Sequence, residues 1–227
     1  MLVCENDERD CMARRSDHSR AELKQLVIQA TEEIVRNAVE PLTARNIATK
    51  IGYTVGTLYN AFKNLDDIIL HVNANTLDAL YQLLMSAATV DQYSTKQIGL
   101  AYVTFSQKET ARWQLLFQHR YSEMIAPSWY QEKVDKVFQI PEKSLKEAFP
   151  QFNDLMTAKA AKILWSGLHG ICMLSLGGKF DYIKAAEPIE NLAEAFIDNF
   201  LKGLQTGPLM TSLPALTPQV KLFTVLA

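Results

Sequence analysis

Residues 42–72 read LTARNIATKIGYTVGTLYNAFKNLDDIILHV. Thr43 stands where a helix N-cap is expected, Gly52 can adopt the positive φ of a tight turn, and Thr54 stands at a second N-cap position. The apolar positions are Ile47, Ala48 and Ile51 in the first predicted helix and Leu58, Ala61 and Phe62 in the second. This pattern predicts a helix-turn-helix, whose second helix is a rod that fits the major groove of DNA while the first braces it.

The charge of this region supports the same interpretation. Residues 41–65 contain Arg45, Lys50 and Lys63 and no acidic residue, although the whole chain carries a formal net charge of −2. A net charge of this size argues against a chain covered in nucleic acid, but it allows a local DNA-binding face. We expect Lys50 to be a solvated charge rather than a DNA contact.

The flanking sequence is helical on both sides of the motif. Ser19 and Glu22 have the spacing of a capping box, and the helix that they begin should end near Glu40, before Pro41. Asp66 and Asp67 fit the first turn of the helix that follows the motif. Further helices are predicted at about 95–107, 109–119, 128–138, 152–176 and 186–205. The breakers between them are Pro127, Pro141, Pro150, Gly177-Gly178 and Pro188.

The sequence therefore predicts an all-α protein with four segments. These are a disordered tail (1–18), a helix-turn-helix DNA-binding domain (19–65), a larger helical ligand-binding and dimerisation domain (66–205) and a C-terminal tail (206–227). Hydrophobic residues make up 48% and charged residues 21%, which is typical of a globular protein with a packed core.

The composition also indicates the cellular compartment of the protein. Cys4, Cys11 and Cys172 are odd in number and form no CxxC pair, so we expect no disulfide framework and a reducing cytoplasm. The first 20 residues lack the apolar core of a signal peptide, and no run of 18 apolar residues predicts a membrane span. The expected location is cytoplasmic, with no membrane partner.

The helix-turn-helix resembles the N-terminal region of the tetracycline-repressor (TetR) family. The matching elements are Leu42-Thr43, Ile47-Ala48, Gly52, Gly56-Thr57-Leu58-Tyr59 and Phe62. The resemblance implies DNA-binding roles for Thr43, Arg45, Thr54, Val55, Gly56, Thr57, Tyr59, Asn60 and Lys63. One departure is Leu65, which stands where the family usually has a lysine, so a backbone contact is expected to be missing there.

These implied roles differ from residue to residue. Residues 54–57 would form the leading end of the recognition helix. Thr43, Tyr59 and Lys63 would contact phosphate, and Asn60 would reach a base or the backbone. For Arg45, a base contact, a phosphate contact and exposure without a contact remain open alternatives.

Residues 165–170, Trp165-Ser-Gly-Leu-His169-Gly170, resemble the Trp-His-Gly signature of one C-terminal domain class found behind TetR-type DNA-binding regions. Gly167 and Gly170 would let another helix approach closely. His169 is either a buried histidine bonded to a backbone carbonyl or a residue that contacts ligand or senses pH. The four histidines, His18, His71, His119 and His169, show no ligand spacing, so we expect neither a metal nor another cofactor.

Bulky side chains in the C-terminal half either fill a core or line a pocket for a small apolar or aromatic effector. The candidate ligand-binding residues are Tyr102, Phe105, Trp113, Phe117, Tyr121, Trp165, His169 and Met173. By family analogy, residues 152–176 and 186–205 would pair with their copies in a homodimer as a four-helix bundle.

The predicted function is a ligand-responsive transcriptional regulator, most simply a repressor. It would bind a pseudo-palindromic operator in double-stranded DNA as a homodimer and release it when a small molecule binds. The alternative is a DNA-binding protein of the same fold with a nucleoid or cell-division role. An enzyme is the third hypothesis, but the sequence has no P-loop, GxGxxG, HExxH or nucleophile elbow, so none is expected.

Overall fold

The structure is a computed structural model that describes residues 18–89, 95–121, 126–183 and 187–206. In these ranges the regular secondary structure is entirely helical, which confirms the predicted all-α class. The predicted tails, apart from residues 18 and 206, lie outside the described residues. The helices of the described part are α1 (Arg20–Asn37), α2 (Ala44–Ile51), α3 (Val55–Tyr59), α4 (Leu65–Ala88), α5 (Thr95–Lys108), α6 (Thr110–Gln118), α7 (Ser128–Ala148), α8 (Asp154–Leu176), α9 (Lys179–Tyr182) and α10 (Ile189–Thr206).

The chain divides into two compact units, residues 1–73 and 74–227, and α4 runs through the boundary between them. The domain boundary expected from the sequence, between residues 65 and 66, falls at the first turn of that helix. None of the helices in the described ranges is both long and apolar enough to cross a membrane.

The first helix shows how local sequence fixes the N-terminal unit. The Ser19 side chain accepts a hydrogen bond from the Glu22 amide, and the Glu22 carboxylate accepts one from the Ser19 amide, so the predicted capping box is present. The helix ends at Asn37, because Ala38 adopts a left-handed conformation with φ of 49°. The helix therefore ends three residues before Glu40, near which the sequence predicted its end.

The C-terminal unit is held together by close helix packing at two glycines. A Cβ atom on Gly167 of α8 would lie 2.0 Å from the ring of Phe196 in α10. A Cβ atom on Gly99 of α5 would lie 2.7 Å from Ile197 in the same helix. The predicted close approach at Gly167 is therefore made within one chain, whereas a Cβ atom on Gly170 would meet no atom within 4 Å among its described neighbours.

One prediction about this unit is wrong. Pro141 was expected to end a helix at about residue 138, but α7 continues through it to Ala148. Proline in a helix interior removes one amide donor and costs about 3 kcal/mol. The helix survives because it buries residues on both sides of the proline, including Val137, Ile140 and Leu145. The free energy gained by burying these apolar side chains therefore outweighs the local cost of a proline inside the helix.

Candidate DNA interface and ligand cavity

The helix-turn-helix is built from three local signals. Thr43 caps α2 by accepting a hydrogen bond from the Asn46 amide at 3.1 Å, and Thr54 caps α3 by accepting one from the Thr57 amide at 3.2 Å. Between the helices, Gly52 adopts φ of 73°, the left-handed conformation that favours glycine. All three features match the predictions made from the sequence.

The second helix is shorter than predicted. It ends at Tyr59, and Ala61 and Phe62, which were expected on its apolar face, follow it in a turn. Their amides still bond the Leu58 carbonyl, and all three side chains are buried. Leu58, Ala61 and Phe62 therefore hold α3 against the unit as the sequence anticipated, although only the first lies within the helix.

The predicted DNA-binding residues form an outward-facing set on the N-terminal unit. Thr43, Arg45, Thr54, Gly56, Tyr59, Asn60 and Lys63 are exposed, and Val55 and Thr57 are half-buried. Tyr59 is the most informative member, because 44% of a large aromatic side chain faces solvent. An exposed aromatic residue beside polar groups is typical of a binding surface rather than of a core.

Gly56 lies within this exposed set, and the fold does not require glycine there. The residue has no positive φ, and an added Cβ would meet only the Thr54 side-chain oxygen at 3.7 Å, an ordinary contact. A glycine in a helix costs about 0.5–1 kcal/mol relative to alanine. The residue therefore reduces local stability on a face that is open to a partner.

The basic residues of the motif differ in their surroundings. Lys50 forms an ion pair with Glu33 at 2.8 Å, and the hydrogen bond from Lys50 lowers the pKa of the Glu33 carboxyl. Lys63 instead follows α3, with its exposed side chain on the same unit. Its backbone amide donates to the Asp67 carboxylate at 2.9 Å, and the Asn64 side chain accepts from the Asp67 amide at 2.8 Å, so these contacts secure the start of α4.

One contact of the N-terminal unit carries no signal in the sequence. The His18 Nδ1 atom and the Tyr53 hydroxyl are 2.7 Å apart, and the two rings meet edge to face. They are separated by 35 residues in sequence, so neither spacing nor periodicity predicts the pair. The bond ties the residue just before α1 to the turn between α2 and α3.

An aromatic cluster surrounds His169 in the C-terminal unit. The His169 ring stacks on Trp113 with ring centres 4.8 Å apart and also contacts Phe117 and Trp165. Its Nδ1 atom lies 2.8 Å from the Tyr102 hydroxyl, whose oxygen also accepts a hydrogen bond from Trp113 Nε1 at 3.2 Å. Burial lowers the pKa of His169 to about 4, so the ring is neutral near pH 7. Its Nδ1 partner is a side chain rather than the expected backbone carbonyl.

Beside this cluster lies an apolar cavity of about 70 Å³. Of the eight candidate ligand-binding residues, Tyr102, Phe117, Tyr121 and Trp165 line it. The other four are placed differently: Trp113 and Phe105 are buried, His169 packs behind Tyr102, and Met173 is 37% exposed. The sequence did not identify the aliphatic part of the wall, which includes Leu77, Leu80 and Leu84 of α4.

The outer face of α8 is apolar and exposed in the single chain. Ile163 and Leu174 are 44% and 46% exposed, and Gly170 lies between them with open space above it. Such a face on a long helix is typical of a surface that another helix covers.

Comparisons with known proteins agree with this architecture. A family model described as the tetracyclin repressor-like C-terminal domain matches residues 95–200. No curated protein matches the chain. The Trp-His-Gly subtype stays a prediction.

Three solved structures show the fold. A protein of unknown function from Rhodococcus sp. RHA1 has a TM-score of 0.65 and 18% identity, over 84% of this chain and 98% of that one. The TetR family regulator PfmR from Thermus thermophilus has a TM-score of 0.55 and 16% identity, over 79% and 98%. The regulator FadR from Bacillus subtilis, in complex with stearoyl-CoA, has a TM-score of 0.59 and 14% identity, over 81% and 98%. These three structures share the fold of this chain at 18% identity or less, and residues 95–200 match the tetracyclin repressor-like C-terminal domain.

Proposed function

We propose that the chain is a cytoplasmic repressor that binds a pseudo-palindromic operator as a homodimer and releases it when a small apolar or aromatic effector binds. The observation that carries the proposal is the outward-facing set on α3 and its flanks, from Thr54 to Lys63. Those side chains combine hydroxyl, amide, phenol and ammonium groups, which are the groups that contact phosphates and base edges.

The residues at the start of α3 and those at its end have different proposed roles in DNA binding. Thr54 and Gly56 lead the recognition helix into the major groove, where the absent side chain of Gly56 allows the backbone to approach the bases closely. Tyr59 and Lys63 contact phosphates and so fix the register of the helix without reading sequence. Arg45 on α2 and Asn60 after α3 are the candidates for base contacts.

The homodimer is proposed to form through α8 and α10. The exposed apolar stripe with Ile163, Gly170 and Leu174 would pack against the same stripe of a second copy. In this arrangement two recognition helices would lie about 34 Å apart, one turn of B-form DNA, so that each reads one half-site.

The effector is proposed to bind in the cavity of the C-terminal unit. Ligand pockets usually measure about 300–1,000 Å³, so a cavity of about 70 Å³ must widen when it is occupied. Three leucines of its wall lie on α4, the helix that begins directly after the helix-turn-helix. Widening would displace α4 and change the separation of the recognition helices, and the ligand acts only through its preference for the displaced state. The Bacillus subtilis structure of the same fold, solved with stearoyl-CoA, supports a ligand that contains an apolar chain.

The test of the DNA interface uses a duplex that the wild-type protein selects from a random-sequence library. Fluorescence anisotropy across a salt series compares Lys63→Ala and Tyr59→Ala with the wild type. Loss of one phosphate contact in each protomer should weaken binding and reduce the salt slope by about two for Lys63→Ala. Lys108→Ala, which removes an exposed lysine of the C-terminal unit, is the matched control and should leave the slope unchanged.

A further variant tests whether the Tyr59 hydroxyl contacts DNA. Tyr59→Phe keeps the exposed ring but removes the hydroxyl, so it should weaken DNA binding as Tyr59→Ala does if the hydroxyl contacts phosphate. If both Tyr59→Ala and Lys63→Ala bind the selected duplex with the affinity and salt slope of the wild type, the proposed DNA interface is wrong.

A further inference from the structure

The start of α1 lies beside α3 in the N-terminal unit, as two contacts show. Near the beginning of α3, the Tyr53 hydroxyl is 2.7 Å from the Nδ1 atom of His18, which stands just before α1. Just beyond the end of α3, the Lys24 ammonium lies over the Phe62 ring, 5.5 Å from the ring centre. Residues 18–24 therefore flank α3 at both of its ends.

Two basic side chains of α1 share the face that borders α3. Arg20 and Lys24 are four positions apart, a spacing that places side chains one above the other on a helix. Arg20 is exposed, whereas Lys24 is half-buried with its ammonium over the Phe62 ring. Glu22, the acidic residue between them in sequence, accepts a hydrogen bond from the Ser19 amide at 2.7 Å, so its carboxylate is held at the start of the helix. The face beside α3 is therefore basic.

The chain that follows α3 has the opposite charge beyond Lys63. The next four residues include Asp66 and Asp67, which stand in the first turn of α4. Carboxylates repel the phosphates of a DNA backbone, whereas lysine and arginine side chains attract them. A duplex that receives α3 in its major groove would therefore find more favourable charges along the start of α1 than along the start of α4.

We propose that Arg20 and Lys24 form a phosphate-binding flank beside α3, which contacts the DNA backbone at the edge of the groove that α3 enters. A guanidinium and an ammonium group bind phosphate oxygens whatever the base sequence. The inference rests on the proposed function, since it requires α3 to bind in the major groove. It adds two contacts in each protomer that would fix the register of α3 on the duplex without reading bases.

The test measures binding of the duplex that the wild-type protein selects, by fluorescence anisotropy across a salt series. Arg20→Gln and Lys24→Met each remove a positive charge, and the methionine keeps an unbranched stem that can pack on Phe62. Each variant should reduce the salt slope by about two, because one phosphate contact is lost in each of two protomers, and the double variant by about four. Affinities for the selected duplex and for a scrambled duplex should fall by the same factor, because phosphate contacts carry no sequence information.

Arg36→Gln is the matched control, because it makes the same exchange at an exposed position in the last turn of the same helix. Arg36 lies about 24 Å along the helix axis from Arg20, so the salt slope should keep its wild-type value. Lys24→Arg keeps the charge and should also keep the slope. Thermal unfolding shows whether each variant is folded, and the exposed position of Arg20 lets Arg20→Gln decide the question if Lys24→Met is not.

Wild-type salt slopes in folded Arg20→Gln and Lys24→Met would overturn the inference. An equal reduction in Arg36→Gln would also overturn it, because the effect would then follow net charge rather than position. If these slopes are unchanged while Lys63→Ala lowers the slope, this inference alone fails. If Lys63→Ala and Tyr59→Ala also match the wild type, the proposed DNA interface fails with it.

Discussion

The Tyr102 hydroxyl lies 2.8 Å from the Nδ1 atom of His169, although the two residues are 67 positions apart. The Tyr102 oxygen already accepts from Trp113 Nε1, which can only donate. The Tyr102 hydroxyl therefore joins the Trp113 indole and the His169 imidazole in one hydrogen-bonded chain, in which the tautomer of the neutral imidazole sets the direction of the Tyr102–His169 bond.

This arrangement predicts a pH dependence of stability. Burial lowers the pKa of His169 from 6.5 to about 4, so between these values the unfolded chain binds a proton that the folded chain does not. The contribution of this group to the free energy of unfolding should therefore be constant above about pH 6.5 and fall as the pH drops toward 4. Urea unfolding of the wild type and of His169→Gln, at several pH values, should show a shallower decline for the variant in this window. A His169 ring signal that titrates near pH 6.5 in a nuclear magnetic resonance experiment would contradict the assignment.

A second prediction separates folding from DNA binding at Gly56. Because a Cβ at this position meets only an ordinary contact at 3.7 Å, Gly56→Ala should fold and gain about 0.5–1 kcal/mol in the free energy of unfolding. The added methyl group on the exposed face should nevertheless weaken binding of the selected duplex. Thermal unfolding and anisotropy measure the two effects, and a variant that is stabilised and binds DNA at full strength would show that this face does not approach the bases closely.

A third prediction concerns the close packing of α8 and α10. The Cβ of Gly167→Ala would lie 2.0 Å from the Phe196 ring, so the variant should be destabilised by about 1–3 kcal/mol. Phe196→Leu shortens the opposing side chain, and the double variant should recover part of the loss. Denaturant unfolding of the wild type, both single variants and the double variant measures the coupling. Additive effects would mean that the two positions do not compete for space.

A fourth prediction tests the proposed dimer through Gly170. A Cβ atom at this position meets no atom within 4 Å in the described chain, so we expect Gly170→Leu to fold as a single chain. A leucine there would separate two copies whose α8 helices pack at this point. Sedimentation should show the wild type at twice the chain mass of 25.6 kDa, with the variant shifted toward one chain mass. Lys108→Leu places the same side chain on another exposed site and should stay dimeric. Equal dimer affinities for the wild type and Gly170→Leu would place the interface elsewhere.

The sequence predicted best what depends on neighbours a few residues apart. Thr43, Thr54 and Gly52 were correctly assigned because a cap or a left-handed turn is decided within about four positions. The same reasoning failed at Pro141, since the local penalty of proline was outweighed by burial that involves residues far away in sequence. A helix-breaking residue is therefore weaker evidence for a helix end than a capping residue is for a helix start, when the helix has a strongly buried face.

The cavity and the His169 contacts show a second limit. Aromatic residues at helical spacing predict that side chains point inward, but not whether they meet or leave a gap. Whether a cavity remains depends on how five helices, α4 to α8, pack against one another. Leucines such as Leu77 and Leu168 contribute to this packing, but nothing in the sequence distinguishes them from other core residues. The Tyr102–His169 and His18–Tyr53 bonds likewise join residues that no local pattern relates.

The proposed recognition helix, α3, contains five residues and is secured by the Thr54 cap at one end and by buried Leu58 near the other. Gly56 and the positions just beyond the helix, such as Asn60, face outward and contribute little to its anchoring. Exchange of these surface side chains would therefore leave the scaffold that presents them intact, so the proposed DNA specificity can change independently of the fold.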